Sequence, residues 1–201
     1  MNRQESYGFA IRDARTSDSA AILAIYAPHV LGGAITFETA LPTVEDMAGR
    51  ILTTALEYPY FVAEDGSGIL GYAYAGRVRS REAYQWSAEL SIYVRDDAQG
   101  RGIGRALVTR VISALRIMGV KTLYAVITSP NPPSEAFHER LGFKRLAVFE
   151  NMGYKLGRWR DVLWMSLTLG AFDDDPEAVT PHPCISAPLQ GCETPPSRGG
   201  R

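Results

Sequence analysis

Between Phe9 and Leu169 the apolar positions of this chain switch repeatedly between the alternation of a strand and the three-to-four spacing of a helix. Phe9 to Ala14 reads as a short first strand. Thr16 or Ser17 offers a cap for a helix in which Ile22, Leu23, Ile25, Tyr26 and Val30 follow at near-helical spacing, ended by Gly32-Gly33. Thr43 to Asp46 forms a capping box, with Asp in the usual Glu place, for a second helix carrying Met47, Ile51, Leu52, Ala55 and Leu56 on one side. Tyr60 to Glu64 and Ile69 to Val78 are strands on either side of the hairpin-type turn Asp65-Gly66-Ser67-Gly68. A central strand, Ala88 to Val94, precedes a helix from Arg105 to Met118, whose Leu107, Val111, Leu115 and Met118 form a sheet-packing face and which Gly119 ends. Thr122 to Thr128 carries no charge and reads as a strand buried on both faces. Ser129-Pro130-Asn131-Pro132-Pro133 interrupts the helical pattern, so Ser134 is expected to cap a short helix through Leu141. Gly142-Phe143 opens a strand to about Phe149, Asn151 to Arg160 reads as a polar loop, and Val162 to Leu169 is the last strand. This order predicts one mixed α/β domain over residues 9–169.

Composition adds limits. The chain has 201 residues, 46% hydrophobic and 21% charged, with a net charge of −1. No overall field favours nucleic acid or an anionic membrane, and no apolar run approaches the roughly 18 residues of a spanning helix. A cytoplasmic protein is the expectation. From Gly170 the character changes: Asp173-Asp174-Asp175, then prolines at 176, 181, 183, 188, 195 and 196, predict a disordered tail over 170–201. Both cysteines, Cys184 and Cys192, lie in it and read as free thiols, with no disulfide framework and no metal site expected.

The chemistry centres on Gln99-Gly100-Arg101-Gly102-Ile103-Gly104-Arg105, which joins the central strand to the longest helix. Glycines at alternate positions bare the backbone N–H groups, the helix start adds partial positive charge, and two arginines flank the turn, a combination suited to phosphate. The Gly-Lys-Ser/Thr of a nucleoside-triphosphate loop is absent, and the spacing is G-x-G-x-G rather than the G-x-G-x-x-G of a dinucleotide fold. Between Asp97 and Glu135 there is no acid, only Arg101, Arg105, Arg110, Arg116 and Lys121. The plainer alternative is a glycine-rich turn that merely caps a helix.

Glu89 stands inside an otherwise apolar strand, which is costly unless the carboxylate is paired or used. It is a candidate base, the alternative being a surface glutamate or a partner of Arg79. The segment between Arg77 and Trp86 is basic and aromatic. Arg77 or Arg79 could hold a carboxylate, and Tyr84, Trp86, Phe37 and Trp159 could wall an apolar slot, although each aromatic could equally be core.

Strand, Gln-Gly-Arg-Gly-Ile-Gly and helix together resemble motif A of the Gcn5-related N-acetyltransferases. Tyr84 to Glu89, Pro130 to Ser134 with His138-Glu139, Gly153 to Val162, and Phe37-Glu38 resemble the phosphinothricin and methionine-sulfoximine acetyltransferases within that superfamily. The resemblance implies the acyl-coenzyme A N-acyltransferase fold, a mixed sheet of about seven strands flanked by about four helices. It implies acetyl-coenzyme A as donor, held by Gln99 to Arg105, by the strand edge at Ile92, Tyr93 and Val94, and by Asn131 and Ser134. It implies Glu89 as base, Glu38 near the amine, and a proton donor where His138 stands in place of the tyrosine of many relatives; the alternatives are a helix histidine that bonds a backbone carbonyl at 138 and a solvated loop charge at 38. The acceptor would be a small amino acid or analogue, and the assembly a homodimer. Another amine acceptor, or a non-catalytic acyl-coenzyme A binding module, are the alternatives.

Overall fold

The computed structural model describes residues 8–183. A single mixed sheet of seven strands runs through it, formed by β1 (Ala10–Asp13), β2 (Tyr60–Asp65), β3 (Gly68–Arg77), β4 (Ser87–Val94), β5 (Thr122–Ser129), β6 (Lys144–Lys155) and β7 (Arg158–Thr168). Their order across the sheet is β1-β2-β3-β4-β5-β7-β6. Four helices are α1 (Ser19–Leu31), α2 (Val44–Ala55), α3 (Ile103–Met118) and α4 (Pro132–Arg140). Seven strands and four helices in this order match the architecture expected from the sequence.

Two hydrophobic cores sandwich the sheet. On one face α3 packs Leu107, Val108, Val111 and Leu115 against Phe61, Leu70, Ala73, Leu123 and Met165. On the other, Ile22 and Ile25 of α1 and Met47 and Ile51 of α2 cover Tyr60, Val62 and Tyr72. Among the described residues, α1 and α2 pack mainly on the β1–β4 half of that face.

The middle of the sheet is divided by the register of its central pair. β4 and β5 run parallel and are paired from Ser87↔Thr122 to Leu90↔Ala125 only. Beyond that point β4 stays with β3 as far as Val94↔Gly71, while β5 stays with β7 as far as Ser129↔Asp161. The two strands therefore part, and the edge of β4 from Ser91 to Val94 loses its neighbour on that side.

Three expectations need correction. α4 starts at Pro132, not Ser134: Asn131 is its N-cap, accepting a bond from the Ser134 amide, and both prolines sit in the first turn, where a missing N–H costs nothing. The polar stretch 151–160 is no loop. β6 and β7 run through it as a hairpin closed by Leu156-Gly157, both at positive φ, and β6 is exposed along most of its length, so no alternation of burial marks it in sequence. The tail expected to be loose from residue 170 begins as packed chain. The Trp86 indole donates to the Glu177 carbonyl (2.8 Å), the Gln85 amide oxygen accepts from Val179 N–H (3.1 Å), Thr180 N–H donates to Met118, and His182 N–H donates to Glu57. Val179 packs on the core and His182 is buried edge-on against Phe61, beside Asp13. Cys184 and Cys192 lie outside the described residues. No helix among the described residues is long and apolar enough to cross a membrane.

Shortening the chain tests this seat. A protein ending at Leu169 loses several main-chain bonds and the Val179 contact that one ending at Pro183 keeps, so its melting temperature is expected to be lower by about 5–10 °C. Equal melting temperatures in scanning calorimetry would mean that the segment contributes nothing.

Candidate active site

The parting of β4 from β5 opens a cleft that runs through the sheet. On the α3 side it is a cavity of about 550 Å³, walled by Ile92, Tyr93 and Val94 of β4, by the 98–105 turn, and by Asn131, Ser134, Phe137 and His138 of α4. On the opposite side a second cavity of about 330 Å³ is lined by Phe37, Glu38, Tyr74, Glu89, Ser91, Tyr93 and Thr128, among others. Ile35, Ile92, Tyr93, Asn131, Ser134 and His138 border both, so the two cavities meet at the fork of the strands.

The first cavity joins an uncapped helix start to an unpaired strand edge. Gly102, at φ 80°, is the N-cap of α3 and supplies no side-chain cap. The first helical bond to reach back is Ala106 N–H to the Gly102 carbonyl, so the amides of Ile103, Gly104 and Arg105 have no partner within the helix. They sit at the positive end of a 16-residue helix, with Arg105 beside them. Gln99, Gly100, Gly102, Ile103, Gly104 and Arg105 all border this cavity. Arg101 does not: its guanidinium donates to Asp65 in the β2–β3 turn at 3.0 Å. Along β4 the backbone of Ser91 to Val94 offers groups to an extended ligand, as an added strand would take them.

The second cavity holds the acid. Glu89 is half-buried on β4, and no hydrogen bond or ion pair among the described residues engages its carboxylate. Burial raises its pKa above the ordinary glutamate value, against the weaker opposing pull of Arg79. Tyr74, Tyr93 and Tyr26 surround this space, and burial raises each phenol's pKa, so they remain neutral hydroxyls at working pH. Tyr26 and Tyr93 meet edge to face at 5.1 Å, and Tyr72 stacks behind Tyr93 at 5.2 Å. Glu38 borders the same cavity but is held by Arg50 at 2.6 Å, which fixes it as a positioned anion.

His138, 4% exposed, lies between the edges of Phe137 and Phe143. Its Nδ1 lies 2.8 Å from the Ser134 carbonyl, which can only accept, so Nδ1 carries the proton and neutral His138 keeps a lone pair on Nε2. Burial lowers its pKa, more than the Ser134 bond raises it. An imidazole that prefers to be neutral is poorly suited to donating a proton at pH 7, which counts against the donor role expected of it.

The expected acceptor-binding residues divide. Phe37 borders the second cavity. Arg77, Arg79, Tyr84 and Trp86 do not: Arg77 pairs with Glu57 at 2.7 Å, Arg79 lies exposed and donates to the Val78 carbonyl, Tyr84 is exposed, and Trp86 anchors the Glu177 carbonyl. Sequence reasoning passed over Tyr26, Tyr74 and Ser91. Tyr74 and Ser91 were visible as positions in register across the β3–β4 pair, on the face that Glu89 shares.

The family description Acetyltransferase (GNAT) domain matches residues 11–164. The chain is 38% identical over 167 residues to a phosphinothricin N-acetyltransferase of Alcaligenes faecalis, covering 81% of this chain and 84% of that one. It is 38% identical over 162 residues to an L-methionine sulfoximine/L-methionine sulfone acetyltransferase of Pseudomonas paraeruginosa, covering 80% and 94%. A crystal structure of a phosphinothricin acetyltransferase from Sinorhizobium meliloti, in complex with AcCoA, superposes with a TM-score of 0.81 at 38% identity, covering 87% and 97%.

The Glu89 environment has a consequence for stability. A carboxyl whose pKa is raised in the fold opposes folding once it ionises. That cost is absent below the unfolded pKa of about 4.3 and complete above the folded pKa. Glu89→Gln should therefore raise the melting temperature at pH 7 by more than it does at pH 4. An equal shift at both pH values would show that the carboxylate is not strained by its surroundings.

Proposed function

The chain belongs to the GNAT acetyltransferase family, and on that premise we propose that it moves the acetyl group of acetyl-coenzyme A to the α-amino group of a small amino acid or analogue, with phosphinothricin, methionine sulfoximine and methionine sulfone as first candidates. The observation that carries this reading is the meeting of the two cavities at Ile92 and Tyr93, with an uncapped, cation-flanked helix start on one side and an unpaired, half-buried carboxylate on the other. The Alcaligenes and Pseudomonas relatives, and the AcCoA complex of the Sinorhizobium enzyme, support donor and acceptor class.

The donor fits the first cavity by its chemistry. The uncapped amides of Ile103 to Arg105 and the Arg105 guanidinium suit the diphosphate, and the open β4 edge suits the amides of the pantetheine arm. Asn131, whose Oδ1 caps α4, keeps its NH₂ group for a further bond. A donor stretched between these points brings its thioester to the fork, where a β4 backbone N–H can stabilise the developing oxyanion.

The acceptor arrives as an ammonium. Glu89, directly or through one water, takes a proton from it, and the raised pKa of the carboxyl brings it closer to that task. The free amine attacks the thioester carbonyl, the C–N bond forms, and the C–S bond breaks. The nitrogen gives up its second proton to solvent, and the thiolate takes one from solvent, so no net proton is lost in that exchange. A thiol of pKa near 8.5 is a competent leaving group at neutral pH, so the reaction does not require an imidazolium at His138. Neutral His138 then serves as a hydrogen-bond acceptor at the fork. Phe37 and the Arg50-held Glu38 border the acceptor, with Glu38 favouring its positive nitrogen.

We also read the protein as a homodimer. The β6–β7 hairpin exposes Leu146, Val148, Met152, Tyr154 and Trp159, the last at 62%, an apolar surface that suits a second copy of the chain. Light scattering of a Val148→Glu/Trp159→Glu double variant should report half the wild-type mass; an unchanged mass would remove the hairpin from the interface.

Glu89→Gln separates an enzyme from a module that only binds acyl-coenzyme A. Turnover in a thiol-release assay is expected to fall by about 10²–10⁴-fold while acetyl-coenzyme A affinity, by calorimetry, stays within about twofold. The wild-type kcat/KM should rise with pH through a midpoint above the ordinary glutamate value. Undiminished turnover of the variant would take Glu89 out of the chemistry.

A further inference from the structure

The wall of the acceptor cavity is not self-supporting. It is made by the coil between α1 and α2, which carries Ile35, Phe37 and Glu38 and belongs to no strand or helix. Such a segment needs outside anchors to hold one geometry. Two of its anchors are local: Tyr26 and Thr36 share a hydrogen bond at 2.6 Å, and Arg50 holds Glu38.

The remaining anchors come from the far end of the chain. Lys155, the last residue of β6, is only 4% exposed, unusual for a lysine beside a hairpin turn. Its Nζ donates to the Thr36 carbonyl at 2.8 Å and to the His29 carbonyl at 3.2 Å. His29 lies in the last turn of α1, where carbonyls lack helical partners and the helix end is partially negative. One ammonium thus caps α1 and grips the coil at the residue before Phe37. Two residues earlier, Gly153 lies directly under the Phe37 ring, and a Cβ there would overlap that ring. A bulge in β6 between Phe149 and Gly153 interrupts its pairing with β7, which resumes from Gly153↔Arg160 to Lys155↔Arg158.

From this arrangement, and resting on the acetyltransferase reading, we infer that Lys155 is a positioning residue for the acceptor: with Gly153 it sets where Phe37 and Glu38 stand, and so governs acceptor affinity far more than donor affinity. Neither Lys155 nor Gly153 borders the donor cavity, which this clamp meets only through His29 and Ile35, so its effect falls mainly on the acceptor. The ammonium acts through backbone carbonyls. A neutral side chain of similar length would leave two buried acceptors without donors and free the coil.

Steady-state kinetics with acetyl-coenzyme A and the best acceptor of an amino-acid and sulfoximine panel tests this. Lys155→Met is expected to raise the acceptor KM about tenfold or more, with kcat reduced less and the donor KM changed by no more than about twofold. Lys155→Arg should recover part of the loss. Gly153→Ala, which displaces Phe37 without touching the ammonium, should give the same one-sided signature and decides the matter if Lys155→Met does not fold. Amide exchange over residues 34–38 without any substrate should be faster in both variants, a readout that needs no turnover. An unchanged acceptor KM in a folded variant, equal changes in both KM values, or exchange over 34–38 identical to wild type would overturn the inference. Wild-type protein inactive on the whole panel would count against the acetyltransferase reading instead, with exchange still reporting on the clamp.

Discussion

The structure depends on a separation between two strands. β4 and β5 share hydrogen bonds only as far as Leu90 and Ala125, and each then follows its other neighbour. A buried strand edge with no partner is costly, because backbone donors and acceptors are left without bonds. The fold accepts this at its centre, where α3, α4 and the strands on either side hold the fork open. The result is a passage between the two faces of the sheet, and both cavities are consequences of it.

Electrostatics divides the passage into two environments. Toward α3, main-chain amides and Arg105 make a region that favours negative charge. Toward α1 and α2, a ring of neutral tyrosines surrounds one carboxyl group whose ionisation burial disfavours. The first environment suits a polyanion and the second the positive nitrogen of an amine. His138, neutral and at the junction, adds no charge to either side.

Much of this was legible in the chain. Helical spacing in α2 and α3, the glycine turn and the isolated Glu89 identified the main elements and the two chemical poles. What escaped reading depends on partners distant in sequence. Arg77 and Arg101 carry charges that suit a ligand, yet acids at positions 57 and 65 engage them. The stretch 151–160 looked like a loop because both faces of β6 are exposed, so no burial pattern is written into it. Prolines at 132 and 133 suggested a break, when the first turn of a helix is the place that tolerates them. The run from Asp173 to His182 has the composition of a loose tail, but it is held by main-chain bonds and one valine, and main-chain bonds leave no mark on composition.

That last stretch affects how the protein is made. Chains emerge from the ribosome N-terminus first and begin to fold as they appear. Here His182 reaches Asp13 in the first strand, and Glu177 and Val179 lie against the residues leading into β4. A late stretch of the chain therefore closes over an early strand, and the loop ahead of β4 gains these neighbours only after residues 177–182 have emerged. A nascent chain halted before residue 173 would carry the full sheet with the approach to Glu89 still unbraced.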